Sequence, residues 1–480
     1  MDYGIVLKTL GFLLIIEAGS MLLPLAVASC CGGPDAPAFA AASILTVAVG
    51  WGGLRCKPNS SLVSYREAFL IVVFGWLLAA AFGSLPFILA GSLSPIDAFF
   101  ETVSGFTTTG ITALANVELQ PRGILLWRSL THWLGGMGII VVALAVLPAL
   151  GVGSMRIFRA ESPGPVPAKL VPRLDQTAKI LYGIYLALTV AQILALKLVG
   201  WSWFDSTAQA FSTMGTGGFS TRSGGMAAWA DPGAEWITIL FMFAAGVNFS
   251  LYYSAISGKA AVLVKDSEFR LYSGVILTAA LMVAINIAPL YPGQVDKIIR
   301  HSLFQTVSMG SSTAFHTINY EQWPGLSQMV LSVLMFMGGC AGSTSSALKQ
   351  VRVLIIFKAI RRRLIRLIHP QAVLPIVLGD TVVDEDTVTG VLVFTLFYLV
   401  LLVAASLLLL TQGLDILTSV SAAAAALWNL GRGFGAVNLT AAYSSFNAGT
   451  KLFLTACMLL GRLEIYPVVV LLLPTFWRRA

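Results

Sequence analysis

Residues 212–221 read Ser212-Thr213-Met214-Gly215-Thr216-Gly217-Gly218-Phe219-Ser220-Thr221, and three other stretches share their character. In chain order these are Ser104-Gly105-Phe106-Thr107-Thr108-Thr109-Gly110-Ile111-Thr112, Ser311-Ser312-Thr313-Ala314-Phe315-His316-Thr317 and Asn429-Leu430-Gly431-Arg432-Gly433-Phe434-Gly435. Aligned on Gly110, Gly218, Ala314 and Gly431, they recur at steps of 108, 96 and 117 residues. Each follows a short segment of mixed polarity and precedes a long apolar run. A segment of about twelve residues cannot cross a bilayer, which takes about 20, so it reads as a re-entrant helix. Irregular backbone after it survives at membrane depth only inside protein or against water. Four such stretches predict four loops converging on a shared aqueous path. Close packing of small residues accounts for any one stretch, but poorly for four in the same setting.

The rest of the 480 residues agrees. Hydrophobic residues make up 57% and charged ones 11%, against roughly 25% charged in a typical soluble chain. Lipid must therefore solvate most of the chain, an all-α polytopic membrane protein with little room for a soluble catalytic or nucleotide-binding domain. The net charge of +8 comes from short clusters between apolar runs: Arg55, Lys57 and Arg66; Arg156, Arg159, Lys169, Arg173 and Lys179; Lys259, Lys265 and Arg270. The densest is Lys349, Arg352, Lys358, Arg361, Arg362, Arg363 and Arg366, and the chain ends in Arg478 and Arg479. Alternating basic loops follow the positive-inside rule and put both termini in the cytoplasm, an explanation that needs no nucleic acid. The five cysteines show no metal-ligand spacing; Cys30 and Cys31 would face outside. The first apolar run lacks a convincing cleavage site and reads as a retained helix.

Residues 1–58 form a helical hairpin, with apolar segments 5–29 and 36–54 about the turn Gly32-Gly33-Pro34-Asp35. Four units follow, at 59–155, 156–264, 265–370 and 371–480. Their leading apolar runs are 66–90, 177–200, 270–290 and 386–411; their short segments are 94–105, 203–214, 296–309 and 414–428. Their trailing runs are 123–150, 234–262, 324–366 and 450–475. Glycine lets the backbone turn carbonyls toward an axis, and rings of carbonyls replace the hydration shell of a monovalent cation. Thr and Ser hydroxyls add oxygen without charge.

The fourfold plan, with Thr-Thr-Thr-Gly first and Thr-Gly-Gly-Phe-Ser-Thr second, resembles the Trk/Ktr/HKT superfamily of cation transporters. The N-terminal hairpin points to its TrkH-type potassium-uptake subunits, and the resemblance covers essentially the whole chain. It implies a potassium filter lined by Thr108, Thr109 and Gly110, Thr216, Gly217 and Gly218, Ser312, Thr313 and Ala314, and Asn429, Leu430 and Gly431. Two residues depart from the pattern. Ala314 stands where the family usually has glycine, which favours sodium permeation; Arg432 stands where proline is usual. Arg432 either faces the pore and repels cations or points away and pairs with a carboxylate.

The third trailing run is interrupted by Gly338-Gly339-Cys340-Ala341-Gly342-Ser343-Thr344-Ser345-Ser346. Small and hydroxyl residues allow a helix to break in mid-membrane. The resemblance implies a gate there, formed by Gly338, Gly339, Gly342, Ser343, Thr344 and Ser345; the alternative is a close-packing kink. Arg462 lies inside the last apolar run, where a charge is costly and read as functional. By resemblance it projects beneath the filter as an electrostatic barrier; the alternative is a local pair with Glu464. Asp97 and Glu101 share a helix face and either focus cations at the outer mouth or answer the helix dipole. Asp205 and Asp415 read as caps, and His132 and His316 have no ligand constellation. The resemblance further implies a bacterial inner-membrane homodimer in lipid, with K+ as cargo and no organic cofactor of its own. It also implies a cytosolic TrkA-type regulatory subunit binding NAD or ATP. Rival readings are a sodium-permeable or cation-symporting relative, and an intramembrane enzyme. The last is disfavoured by four scattered histidines without a His-Glu-type helix motif.

Overall fold

Helices carry nearly all of the described chain, and their lengths fall into two classes. The computed structural model describes residues 1–58, 63–138, 174–379, 381–437 and 443–478. The end of the run 123–150, the basic residues Arg156, Arg159, Lys169 and Arg173, and Arg479 lie outside them. The long class comprises Tyr3–Cys30, Ala36–Leu54, Tyr65–Leu89, Thr177–Leu198, Ser267–Leu290 and Glu385–Leu410, each long and apolar enough to span a membrane. Large apolar side chains such as Ile44, Leu198, Leu281 and Leu396 stand exposed on these helices, a surface that only lipid solvates favourably.

The short class is Pro95–Phe106, Trp203–Met214, Val295–Gly310 and Ile416–Leu427, within two residues of expectation at each end. Three begin on a side-chain cap: Ser94, Ser202 and Asp415 accept from the N–H groups of Asp97, Asp205 and Thr418. Asp205 is therefore not the cap, as the sequence suggested; Ser202 is. All four bury their C-terminal halves, which aims their ends at the interior.

Two trailing runs depart from expectation, because they are not continuous helices. Residues 234–262 divide into Pro232–Ala245 and Phe249–Ile256, bent by 94°, and 450–475 into Ala448–Arg462 and Tyr466–Leu472, bent by 118°. In the latter, Glu464 (φ 55°) and Ile465 (φ 63°) take left-handed backbone, which ends a right-handed helix. The third run is interrupted as its sequence indicated, stopping at Phe336 and resuming at Gln350, and the first has its last described helical residue at Gly136. A small antiparallel hairpin, unforeseen from the sequence, pairs Ile376–Leu378 with Thr381–Val383. It packs Ile376 and Val383 on Val351 and Ile355 of the basic helix Gln350–Ile368.

The N-terminal hairpin is docked by an exchanged cap. The helix Arg122–Gly136 gets no cap from Pro121; instead Asp35, in the hairpin turn, accepts from the Ile124 N–H at 3.0 Å. Asp35→Ala is expected to cost about 1 kcal/mol, measured as a lower melting midpoint of the purified protein. An unchanged midpoint would remove this role. Both chain ends meet the start of Tyr65–Gly83: the Asp2 N–H donates to Glu67 Oε1 at 2.6 Å, and Arg66 Nη1 to the Arg478 carbonyl at 2.9 Å. The two termini thus share one end of the bundle.

Candidate functional site

Each short helix ends in the same way. Thr108 (φ 55°), Thr216 (φ 53°), Ser312 (φ 55°) and Asn429 (φ 50°) all take left-handed backbone. Each stands two residues before Gly110, Gly218, Ala314 or Gly431. The next N–H returns to the helix, from Thr109 to Ser104 O (2.9 Å), Gly217 to Ser212 O (3.0 Å), Thr313 to Ser308 O (2.9 Å) and Leu430 to Ala425 O (2.9 Å). This is a left-handed C-cap built four times from residues that carry a Cβ, at a strain of roughly 1–2 kcal/mol each. Strain repeated at equivalent positions marks a site rather than an accident. With its N–H groups committed to the helix ends, each loop leaves its carbonyl oxygens as the groups to be satisfied.

The loops meet in ring order. A Cβ at Gly110 would collide with the Gly217 carbonyl oxygen, one at Gly218 with that of Thr313, and one at Gly431 with that of Thr109. Loop one thus touches loop two, two touches three, and four touches one. The twelve predicted filter residues all lie buried at these contacts. At the third position stands Ala314 (φ 59°). One of the four aligned positions thus carries a methyl group where the others carry none.

The loop hydroxyls are hydrogen-bonded to their surroundings. Thr109 pairs with Thr107 and Thr313 with Ser311, each at 2.7 Å. Thr216 Oγ1 donates to Gly215 O at 2.7 Å, and Ser312 Oγ meets Ser345 Oγ at 2.8 Å. Asn429 Nδ2 donates to Thr109 Oγ1 at 2.9 Å and to the Met458 carbonyl at 2.8 Å. These side chains brace neighbouring elements, which leaves main-chain oxygens as the chief candidates for a cation.

The interrupted third run lies against this ring. The Ser346 N–H donates to Ser312 Oγ at 2.8 Å, Cys340 N–H to Gly246 O at 2.8 Å, and Thr344 Oγ1 to Ala245 O at 3.1 Å. Gly342 (φ 72°) accepts from the Phe249 N–H through its carbonyl at 3.1 Å. Gly338, Gly339, Ser343 and Ser345 are also buried, and Gly339 N–H bonds Ser345 Oγ at 2.7 Å. Glu268, from the leading helix of the same unit, accepts from Ala341 N–H (2.7 Å) and Val351 N–H (2.8 Å) and so holds both ends of the segment.

Arg462 is the hub beneath the first loop. Its Nη1 reaches Thr108 Oγ1 (3.3 Å), Thr344 O (3.3 Å) and Ser346 Oγ (2.9 Å); Nη2 donates to Gly135 O and, at 2.9 Å, to Gly136 O. A local pair with Glu464 is excluded, because Glu464 binds Arg352 at 2.5 and 3.1 Å. On the other side of the ring, Asp97 pairs with Lys451 at 2.6 Å and Glu101 with Arg128 at 2.7 Å. Both carboxylates are therefore compensated, and neither is a free cation-focusing group. Arg432 lies in electrostatic range of Tyr320, Tyr443 and Arg128. Its N–H donates to Leu430 O at 2.7 Å. Arg128, Glu268 and the breaks in the second and fourth trailing runs were missed in the sequence. Gly246-Val247-Asn248 was the available signal for the second.

Residues 36–478 match the TrkH family, described as cation transport protein. The chain belongs to that family. It is similar to the Trk system potassium uptake protein TrkH of Salmonella typhimurium, 38% identical over 489 residues with 100% of both chains covered. Against the Trk system potassium uptake protein TrkI of Halomonas elongata the identity is 33%, covering 99% of this chain and 97% of that one. Among solved structures, the potassium transporter TrkH from Vibrio parahaemolyticus matches with a TM-score of 0.89 at 34% identity, covering 100% of both chains. The chain is thus a membrane transport protein of all-α fold, not an enzyme.

Proposed function

We propose that this chain takes up potassium through a filter of main-chain carbonyls contributed by its four loops. Four left-handed caps at equivalent positions, whose loops touch one to two, two to three and four to one, carry the reading. Units 59–155, 156–264, 265–370 and 371–480 each supply one quarter of the ring, with 1–58 as a supporting hairpin. Relatives named as potassium uptake proteins over their full length support the choice of cargo. Inward movement is drawn by the membrane potential, about 2.3 kcal/mol per charge per 100 mV. The segment from Gly338 to Ser346, with Arg462, gates the path. Opening is controlled by a cytosolic nucleotide-binding subunit docked on the basic face that follows Gln350. The protein works as a homodimer in a bacterial inner membrane, with both termini in the cytoplasm.

The test is rescue of growth at low potassium in a transporter-deficient bacterium, with rubidium and sodium flux measured in parallel. Failure to rescue at normal membrane levels, with no rubidium flux, would overturn the proposal. A second reading, sodium permeation, is favoured by Ala314 alone. Removing that methyl makes the third aligned position a glycine like the other three. Ala314→Gly is expected to raise the preference for potassium over sodium by about threefold to tenfold, the scale of one net polar interaction of about 0.5–1.5 kcal/mol. An unchanged ratio would show that the methyl does not set selectivity.

A further inference from the structure

Two positions outward from the aligned residues stand Thr112, Ser220, His316 and Gly433, and the seams between quarters are stitched through them. Ala227 N–H donates to His316 O at 3.1 Å, between the second and third quarters. The Tyr320 hydroxyl donates to Gly433 O at 3.4 Å, between the third and fourth. Tyr443 N–H donates to Thr112 O at 2.9 Å, between the fourth and first. The seam between loops one and two is closed by a buried ion pair. Arg128 donates through Nη1 to Ser220 O (3.2 Å), through Nη2 to Thr112 Oγ1 (3.2 Å) and through Nε to Glu101 Oε1 (2.7 Å). Glu101 in turn accepts from the Ala113 N–H (2.7 Å) and the Thr112 hydroxyl (3.0 Å). The two side chains are 2% and 0% exposed.

The same arginine grips the second loop from behind. Its guanidinium lies 4.1 Å from the Phe219 ring centroid, and the His132 ring stacks on Phe219 at 4.1 Å. His132 also occupies the space beside Gly217, so a Cβ there would meet the imidazole. His132 Nδ1 bonds the Gly105 carbonyl at 2.8 Å, at the end of the first short helix. Arg128 and His132 are one helical turn apart and face the same way. Together they form a rigid comb between loops one and two.

We propose that Arg128, held by Glu101, is a positioning residue that fixes the spacing of the first and second loops and thereby the preference among alkali cations. A guanidinium presents its donors in a fixed planar fork, so the distance from Ser220 O to Thr112 is set by the fork itself. A lysine ammonium is a single point that cannot span both. Discrimination between cations depends on the placement of carbonyl dipoles, so a clamp two residues from the filter glycines acts on preference before it acts on fold. The inference rests on reading the four loops as the filter.

The test uses the full chain, purified and reconstituted in vesicles, with rubidium uptake measured against competing sodium. Arg128→Lys is expected to lower the rubidium-over-sodium preference about tenfold, the scale of a lost charge-assisted hydrogen bond. Thr112→Val, which removes only the hydroxyl shared by the pair, should shift it less and in the same direction. Arg300→Lys is the structural control: it alters another buried pair, with Glu235, and should leave the ratio unchanged. Should Arg128→Lys fail to fold, Thr112→Val decides. An unchanged ratio in Thr112→Val, or an equal shift in Arg300→Lys, overturns the positioning role. If Gly110→Asp abolishes flux while the clamp variants keep the ratio, the filter reading stands and the clamp falls. If Gly110→Asp conducts normally, both fall.

Discussion

Gly110→Asp is expected to reduce rubidium uptake at least about 100-fold, with the protein still present in the membrane. Three physical effects combine. At φ 83° any side chain is strained by roughly 1–2 kcal/mol. The new Cβ meets the Gly217 carbonyl oxygen, a backbone atom whose displacement moves the second loop. The carboxylate then sits among carbonyl oxygens, where it repels their dipoles or holds a cation too tightly to release. A further 2–3 kcal/mol on the conduction barrier is about two decades in rate. Gly91→Asp separates strain from obstruction. Gly91 has φ 68°, also left-handed, but an added Cβ meets nothing within 4 Å. Its aspartate variant should transport normally. Near-normal uptake by Gly110→Asp at equal membrane level would refute the ring.

What could be read from the sequence divides along the range of the interactions involved. The four loops were legible because their signal is local: a short polar segment, a glycine and threonine run, and recurrence at comparable spacing. The short helices were legible for the same reason, since Ser94 and Asp415 act within three residues. Asp97 and Glu101 were correctly given one face, yet their roles came from Lys451, 354 residues away, and Arg128, 27 residues away. Composition does not reveal such partners. The break at Glu464 was illegible on similar grounds. A charged residue in an apolar run signals expense, but its partner Arg352 lies 112 residues earlier. For the loop hydroxyls, residue type shows a capacity to coordinate, but not the hydrogen bonds that Thr109 makes to Thr107 or Thr313 to Ser311.

Arg462→Ala is expected to raise resting rubidium leak about 100-fold, and the geometry shows why one side chain has so large an effect. The guanidinium touches Thr108 in the first loop, Thr344 and Ser346 in the interrupted third run, and Gly135 and Gly136 at the end of a first-unit helix. It is both a positive charge beside the proposed path and a tie among three of the four units. A cation about 6 Å from that charge, at an effective dielectric constant near 20, feels about 3 kcal/mol of repulsion, which is about two decades in rate. Two variants separate the charge from the tie. Arg462→Lys keeps the charge but cannot reach five acceptors from one ammonium; a leak close to wild type would assign closure to electrostatics. Arg462→Gln removes the charge and keeps some hydrogen bonding; a tight channel there would assign closure to the tie between Gly135 and Ser346. If Arg462→Ala itself stays closed, neither mechanism operates, and the seal is assigned to the segment from Gly338 to Ser346 alone.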